Sequence, residues 1–162
     1  MRIRSIATAL GAALLIPSAV LAADAAGSMY MNPGEIKWGD APPMIPKGAK
    51  VAVLSGDPGK AGPFVMRMQI PANYKIAPHY HSTDEDLTVI SGTMYLGEGD
   101  KMETKGGHEL KPGAFHHLPA KTHHYAYSKS NTVIQINAQG PFDIVYIDPK
   151  DDPSKAAPAP KK

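Results

Sequence analysis

The sequence predicts an all-β protein, a sandwich or barrel of many short strands, on three observations. Turn formers are dense, with 15 Gly and 16 Pro in 162 residues, and they break the chain too often for long helices. The apolar runs between them are short. Several of those runs alternate in polarity residue by residue, the period of a strand rather than of a helix.

Taken in order, the first element is 1–22. Arg2 and Arg4 precede an apolar run from Ile6 to Ile16, followed by Pro17 and the small-residue ending Val20-Leu21-Ala22. This is the pattern of a secretory signal peptide, with cleavage expected after Ala22 or Ala23. The run is shorter than the roughly 20 residues needed to cross a bilayer, and the sequence contains no second one. The expectation is an exported chain, periplasmic or secreted. With 0 Cys, it has no disulfide, no thiolate chemistry, no Cys-ligated zinc and no lipid-modified cysteine.

Export also changes the charge balance. Arg2 and Arg4 are the only charged residues of the signal segment, so 17 basic residues become 15 in the mature chain, against 15 acidic ones. A neutral chain without a Lys/Arg cluster offers no footprint for nucleic acid and no basic amphipathic face for a membrane surface. The remaining residues, about 140, make one domain large enough to bury a core unaided.

Residues 23–49 read as an irregular N-terminal arm, since Pro33, Pro42, Pro43 and Pro46 preclude a regular helix through most of it. It is expected to wrap over the core. Strands are predicted at 50–54, 64–70, 75–81, 85–91, 92–96, 115–118, 124–128, 133–138 and 142–147, which sets a β-domain at 50–147. Residues 148–162, rich in Pro, Lys, Ala and Asp without an apolar pattern, read as a flexible tail.

The chemistry sits in two histidine clusters. In a strand His79 and His81 project to one side while Tyr80 projects to the other. The polar break Ser82-Thr83-Asp84 lets the chain reverse, so Glu85, opening the next strand, returns beside the two imidazoles. Nitrogen and oxygen ligands of this kind suit a divalent Fe, Mn, Cu, Zn or Ni ion. The fourth ligand must come from elsewhere, and His124 opens a strand just after the turn at Pro119. His123 is its rival, because adjacent residues face opposite sides; spacing from Pro119 selects His124. His116 and His117 likewise split between faces, and solvent or outer-sphere roles suit them. His108, beside Gly106-Gly107, reads as a surface loop residue.

These residues carry a resemblance. His79-Tyr80-His81 through Glu85 to Gly92, and Gly113 through Pro119 to His124, resemble the two motifs of the cupin superfamily over residues 50–147. The chain resembles a small, secreted, single-domain cupin. That resemblance implies a double-stranded β-helix, or jelly-roll, barrel with one metal in its mouth, held by His79, His81, Glu85 and His124. Three positions depart from the motifs: Asn73 and Lys121 where glycine is usual, and Ser128 where asparagine is usual. None is a ligand. Asn tolerates left-handed backbone, and Lys121 bears on turn geometry.

For the pocket, alternation places Phe64, Met66, Met68 and Ile70 on one face. Met66 and Met68 are candidates to wall the metal cavity or to offer thioether contacts to copper. Gln135 and Asn137 share a face of an otherwise apolar strand and are expected to point inward, toward substrate. Tyr125 and Tyr127, opposite in parity to His124, are expected in outer packing or a subunit interface. No catalytic residue beyond the ligands is identified.

The reading of function is an exported metal-dependent small-molecule oxidoreductase, dioxygenase-like or oxalate-degrading-like as the resemblance implies. The alternative is a periplasmic protein that binds metal or a small molecule without turnover. A sugar isomerase or epimerase fits the fold but lacks a phosphate-binding Arg/Lys cluster, Arg67 being the one arginine left after processing. The expected partners are a small molecule and, by the resemblance, a second copy of the chain.

Overall fold

In the computed structural model, residues 27–155 are described. The signal segment, its cleavage point and the end of the tail lie outside them. Residues 27–31, the described part of a separate N-terminal unit, have no regular structure. The unit beginning at Asn32 holds eleven strands: β1 (Gly39–Asp40), β2 (Lys50–Ser55), β3 (Gly62–Ile70), β4 (Lys75–Tyr80), β5 (Glu85–Ser91), β6 (Met94–Glu98), β7 (His108–Leu110), β8 (Phe115–Leu118), β9 (His124–Ser128), β10 (Thr132–Gly140) and β11 (Val145–Tyr146).

They form two antiparallel sheets, one ordered β1-β2-β3-β10-β5-β8 and the other β11-β4-β9-β6-β7. Apolar side chains from both meet in one core: Phe64, Met68, Leu87 and Ile134 from the first, Ile76, Met94 and Leu96 from the second. This is the all-β class predicted from the sequence. The strands are short because turn formers end them. Gly92, for example, has φ +76, and a Cβ there would lie 2.3 Å from the Asn131 carbonyl oxygen. That position is turn, so the strand expected at 92–96 starts at Met94.

Other boundaries also differ. The arm contributes β1, which pairs with β2 through Gly39 and Val51; two residues of pairing leave no periodic trace. His108, expected in a loop, lies in β7 opposite Leu96, because the Gly106-Gly107 turn returns the chain onto β6. The strand expected at 142–147 shrinks to two residues opposite Tyr80 and His79. In the C-terminal stretch expected to be a flexible tail, Pro149–Asp151 and Pro153–Lys155 form single 3-10 turns. Asp148 and Asp152 accept hydrogen bonds there from the Lys150 and Ser154 amides.

The arm does pack on the barrel. Tyr74 Oη donates to the Pro46 carbonyl and Tyr146 Oη to the Met44 carbonyl, the latter at 2.8 Å. Burial of these phenols pushes Tyr74 up to about 12 and Tyr146 higher still, so both remain donors. Tyr125 and Tyr127 lie in outer packing, as parity requires, but a subunit interface is not open to them. Their hydroxyls donate to the carbonyls of Glu103, Thr104 and Gly106, and the loop before β7 buries both rings.

Candidate metal centre

The site forms where β4, β5 and β9 end at one mouth of the barrel. His79 pairs directly with His124 across β4 and β9, so their side chains share a face. The pairing shifts register between Ile76 and His79. Ala77 and Pro78 together stand opposite the single residue Tyr125, a β-bulge, and Pro78 has no amide hydrogen to lose from the ladder. The bulge turns both Ile76 and His79 inward, although three positions apart they would face opposite ways in a regular strand. His81 follows just beyond β4.

The three imidazoles converge. Ring centroids lie 4.1 Å apart for His79 and His124, 5.1 Å for His79 and His81, and 5.2 Å for His81 and His124. Each ring spends its Nδ1 hydrogen on a backbone carbonyl: His79 on Ala77 at 2.7 Å, His81 on Asp143 at 2.5 Å, and His124 on Thr122 at 3.0 Å. Nδ1 is therefore the protonated nitrogen in all three, and each Nε2 keeps a lone pair. One ligand atom from each lies within 4.8 Å of the others.

Glu85 stands beside two of the three, outside the set of atoms that lie within 4.8 Å of one another. Its Oε2 stands 3.7 Å from His81 Nε2 and 3.9 Å from His124 Nε2. Two atoms that each lie about 2.1 Å from one ion stand no more than about 4.2 Å apart, and both separations meet that limit. All four side chains are buried. Burial pushes His79 well below the ordinary histidine range, with His124 and His81 adding to the shift, and it also lowers His81 and His124. Burial pushes Glu85 up, with His124 pulling back. The imidazoles spend their one N–H each on carbonyls and turn unprotonated Nε2 atoms toward one another beside the buried Glu85 carboxyl group. That arrangement fits a divalent cation.

Asp143 is the site residue that sequence reasoning missed. Its carbonyl fixes His81, and its carboxylate accepts from the Ser82 amide at 2.7 Å and Ser82 Oγ at 2.6 Å. Burial raises this carboxyl, but the Ser82 hydrogen bonds outweigh it and hold it below the ordinary range. Its contact with His81 spans some sixty positions, so local spacing carries no signal for it. The carbonyls of Ala77 and Thr122 each lie two positions before their histidine, a pattern available locally.

The other histidines separate as their parity suggests. His117 Nδ1 lies 2.8 Å from Asp86, and His123 Nδ1 lies 2.6 Å from Asp100, both outside the cluster. Asp84 faces out as well, accepting from the Ala120 amide. His116 pairs with inward-facing Leu87, and its Nδ1 is buried without a partner.

The four ligand candidates occupy one end of a cavity of about 410 Å³. Met66 and Met68 line it; Gln135 and Asn137 do not. Their strand turns Ile134 and Ile136 inward, so Gln135 and Asn137 lie on the opposite face, where Gln135 accepts from Arg67 Nε at 3.1 Å. The inward expectation is corrected on a plain physical ground: alternation sends the apolar partners to the core. The arm residues Pro42, Met44 and Ile45 line the cavity too.

The two glycine positions of the motifs keep their backbone without glycine. Asn73 has φ 60 and Lys121 φ 65, and they are the non-glycine residues with positive φ among those described. The Lys121 amide donates to the His81 carbonyl at 2.8 Å, tying the second motif to the first.

A family model described as "Domain of unknown function (DUF4437)" matches residues 17–145. No curated protein matches. Among solved structures, the polyketide cyclase RemF from Streptomyces resistomycificus is 17% identical, with 79% of this chain covering 91% of that one at a TM-score of 0.64. An acetylacetone dioxygenase from Acinetobacter johnsonii is 16% identical, over 78% of this chain and 81% of that one, TM-score 0.59. An RmlC-like cupin from Shewanella frigidimarina NCIMB 400 is 11% identical, over 70% and 91%, TM-score 0.54. At these identities the likeness is one of fold, and the fold is that of the cupins.

Proposed function

The chain belongs to the family described as a domain of unknown function, DUF4437, and from that premise we propose that it is an exported, metal-dependent cupin acting on a small molecule as a dioxygenase-like oxidoreductase. The observation that carries this is the convergence of three Nε2 lone pairs and one buried carboxylate at the polar end of an otherwise apolar cavity.

His79, His81, His124 and Glu85 would hold one divalent transition metal. Once bound, such an ion supplies Lewis acidity and, if iron, manganese or copper, electron transfer. The chain's own contribution is orientation and exclusion. Three carbonyls fix the imidazole tautomers, and Asp143 anchors the turn that carries His81. The arm covers the cavity with Pro42, Met44 and Ile45, which keeps water from a bound substrate. A dioxygenase-like role is supported over an oxalate-degrading one by the lining. Its carboxylates are Glu85 and Asp143, and Asp143 is engaged by Ser82, so no free acid stands ready to move a proton.

That same lack supports the second reading, an exported binder without turnover. Metal analysis of protein matured in its own export compartment, together with oxygen uptake on a panel of small carbonyl compounds, separates the two. Bound iron or manganese with oxygen consumption is expected for the enzyme; tightly held copper or zinc with no consumption would establish the binder. Unchanged metal content in His81→Ala/His124→Ala protein would overturn both.

A further inference from the structure

Beyond the four ligand candidates, the cavity wall constrains what can enter, and on the reading that the site holds a metal we infer that its ligand has one oxygen-bearing head at the metal and an apolar tail. It carries no second charged or hydrogen-bonding group.

The strand register orders the cavity in layers. Glu85 lies opposite Ala138, Leu87 opposite Ile136, and Val89 opposite Ile134. On the next strand Ile136 lies opposite Met66 and Ile134 opposite Met68. Successive inward residues on one strand are about 7 Å apart, so the metal layer is followed by a Leu87/Ile136/Met66 layer and then by an Ile134/Met68 layer. The facing sheet supplies Leu96, Ala126 and Met94. The cavity therefore extends from the metal as an apolar sleeve about two layers deep.

Its chemistry is one-sided. Apart from the four ligand candidates and Asp143, every lining residue is Ala, Val, Ile, Leu, Met, Phe or Pro. Asp143 is already bonded to Ser82. Arg67 belongs to the strand that supplies Met66 and Met68, yet alternation turns it to the opposite face, against Gln135. A charged or hydroxyl-bearing tail would be buried there with no partner, which is heavily penalised. An alkyl tail meets the opposite case, gaining about fourfold in affinity for each methylene buried. The volume, about 410 Å³, is at the small end of the range of roughly 300–1,000 Å³ for ligand pockets. Sugars, phosphates and extended dicarboxylates are excluded on these grounds.

The test uses the mature protein loaded with Co(II), whose visible absorption reports ligand exchange at the metal. The probes are n-alkyl hydroxamates of increasing chain length, and a matched series ending in a carboxylate. Within this one head group the alkyl series should tighten by about fourfold per methylene until the tail reaches Met68 and Ile134, and then level off. The carboxylate-ended probes should bind at least about tenfold more weakly than methyl-ended ones of equal length. Met68→Ala should move the plateau to a longer tail, while the wild-type series decides the matter alone should that variant fail to fold. Co(II) bound with no dependence on chain length, or equal binding of the carboxylate-ended series, would overturn the inference alone. No Co(II) spectrum and no bound metal would instead overturn the metal reading on which it rests.

Discussion

Stripped of metal, the protein should lose stability steeply as the pH falls from about neutral. His79, His81 and His124 are buried and held below their ordinary value of 6.5, burial being the leading cause in each. In the unfolded chain they titrate normally, so below pH 6.5 the unfolded state takes up protons that the native state refuses. The sign follows: this contribution is fully present above 6.5 and is lost as pH falls toward the lowered native values. Each such proton is worth about 1.4 kcal/mol per pH unit. With three such groups the slope cannot exceed about 4 kcal/mol per pH unit, and it operates between 6.5 and their lowered native values. Glu85 acts in the opposite direction. Its carboxyl is raised above 4.5 by burial, so native protein gains that proton early and the slope eases at lower pH. Urea midpoints followed by far-UV circular dichroism in the presence of a chelator measure this directly. His79→Gln should remove about one proton from the slope. A chelated wild-type stability that stays flat as the pH falls below 6.5 would refute the claim that the cluster is buried and neutral.

Three further outcomes follow. Saturating zinc at neutral pH should raise stability by about 2.7 kcal/mol when free metal is a hundredfold above Kd, measured as a shift in thermal midpoint that His124→Ala abolishes. Lys121→Gly should stabilise by about 0.5–1 kcal/mol, since a left-handed L-residue costs roughly 1–2 kcal/mol and glycine returns about half of that in unfolded-state entropy; the urea midpoint checks it. Gly97→Ala should destabilise by about 1–3 kcal/mol, because a Cβ there would fall 2.2 Å from the Tyr125 ring, and accelerated hydrogen exchange in the loop before β7 should accompany it.

Much of the site is legible in short-range spacing. His79 and His81 share a side of one strand, the turn brings Glu85 back, and the pairing of His79 with His124 matches the choice of His124 over His123. The bulge at Ala77 and Pro78 is not legible, because parity counted back from His79 would put Ala77 inward in place of Ile76. Gln135 and Asn137 show a different lapse. The alternation of their strand pointed Ile134 and Ile136 to the core, and only an expectation of polar pocket residues pointed the other way. Parity places Tyr125 and Tyr127 on the outer face, but which loop covers that face depends on the excursion at 99–107.

The sequence by itself determined the class of fold, most of the strand positions, and the residues His79, His81 and His124 that meet at the barrel mouth with Glu85 beside two of them. Each of these follows from periods and spacings of a few residues. Tertiary structure alone decided that Nε2 is the free nitrogen of each histidine, that Asp143 fixes His81 from the far end of the chain, and that the arm helps to wall the cavity that the histidines line. Those outcomes depend on which strands pair and in what register, and on hydrogen bonds between residues up to about a hundred positions apart. No local pattern encodes them.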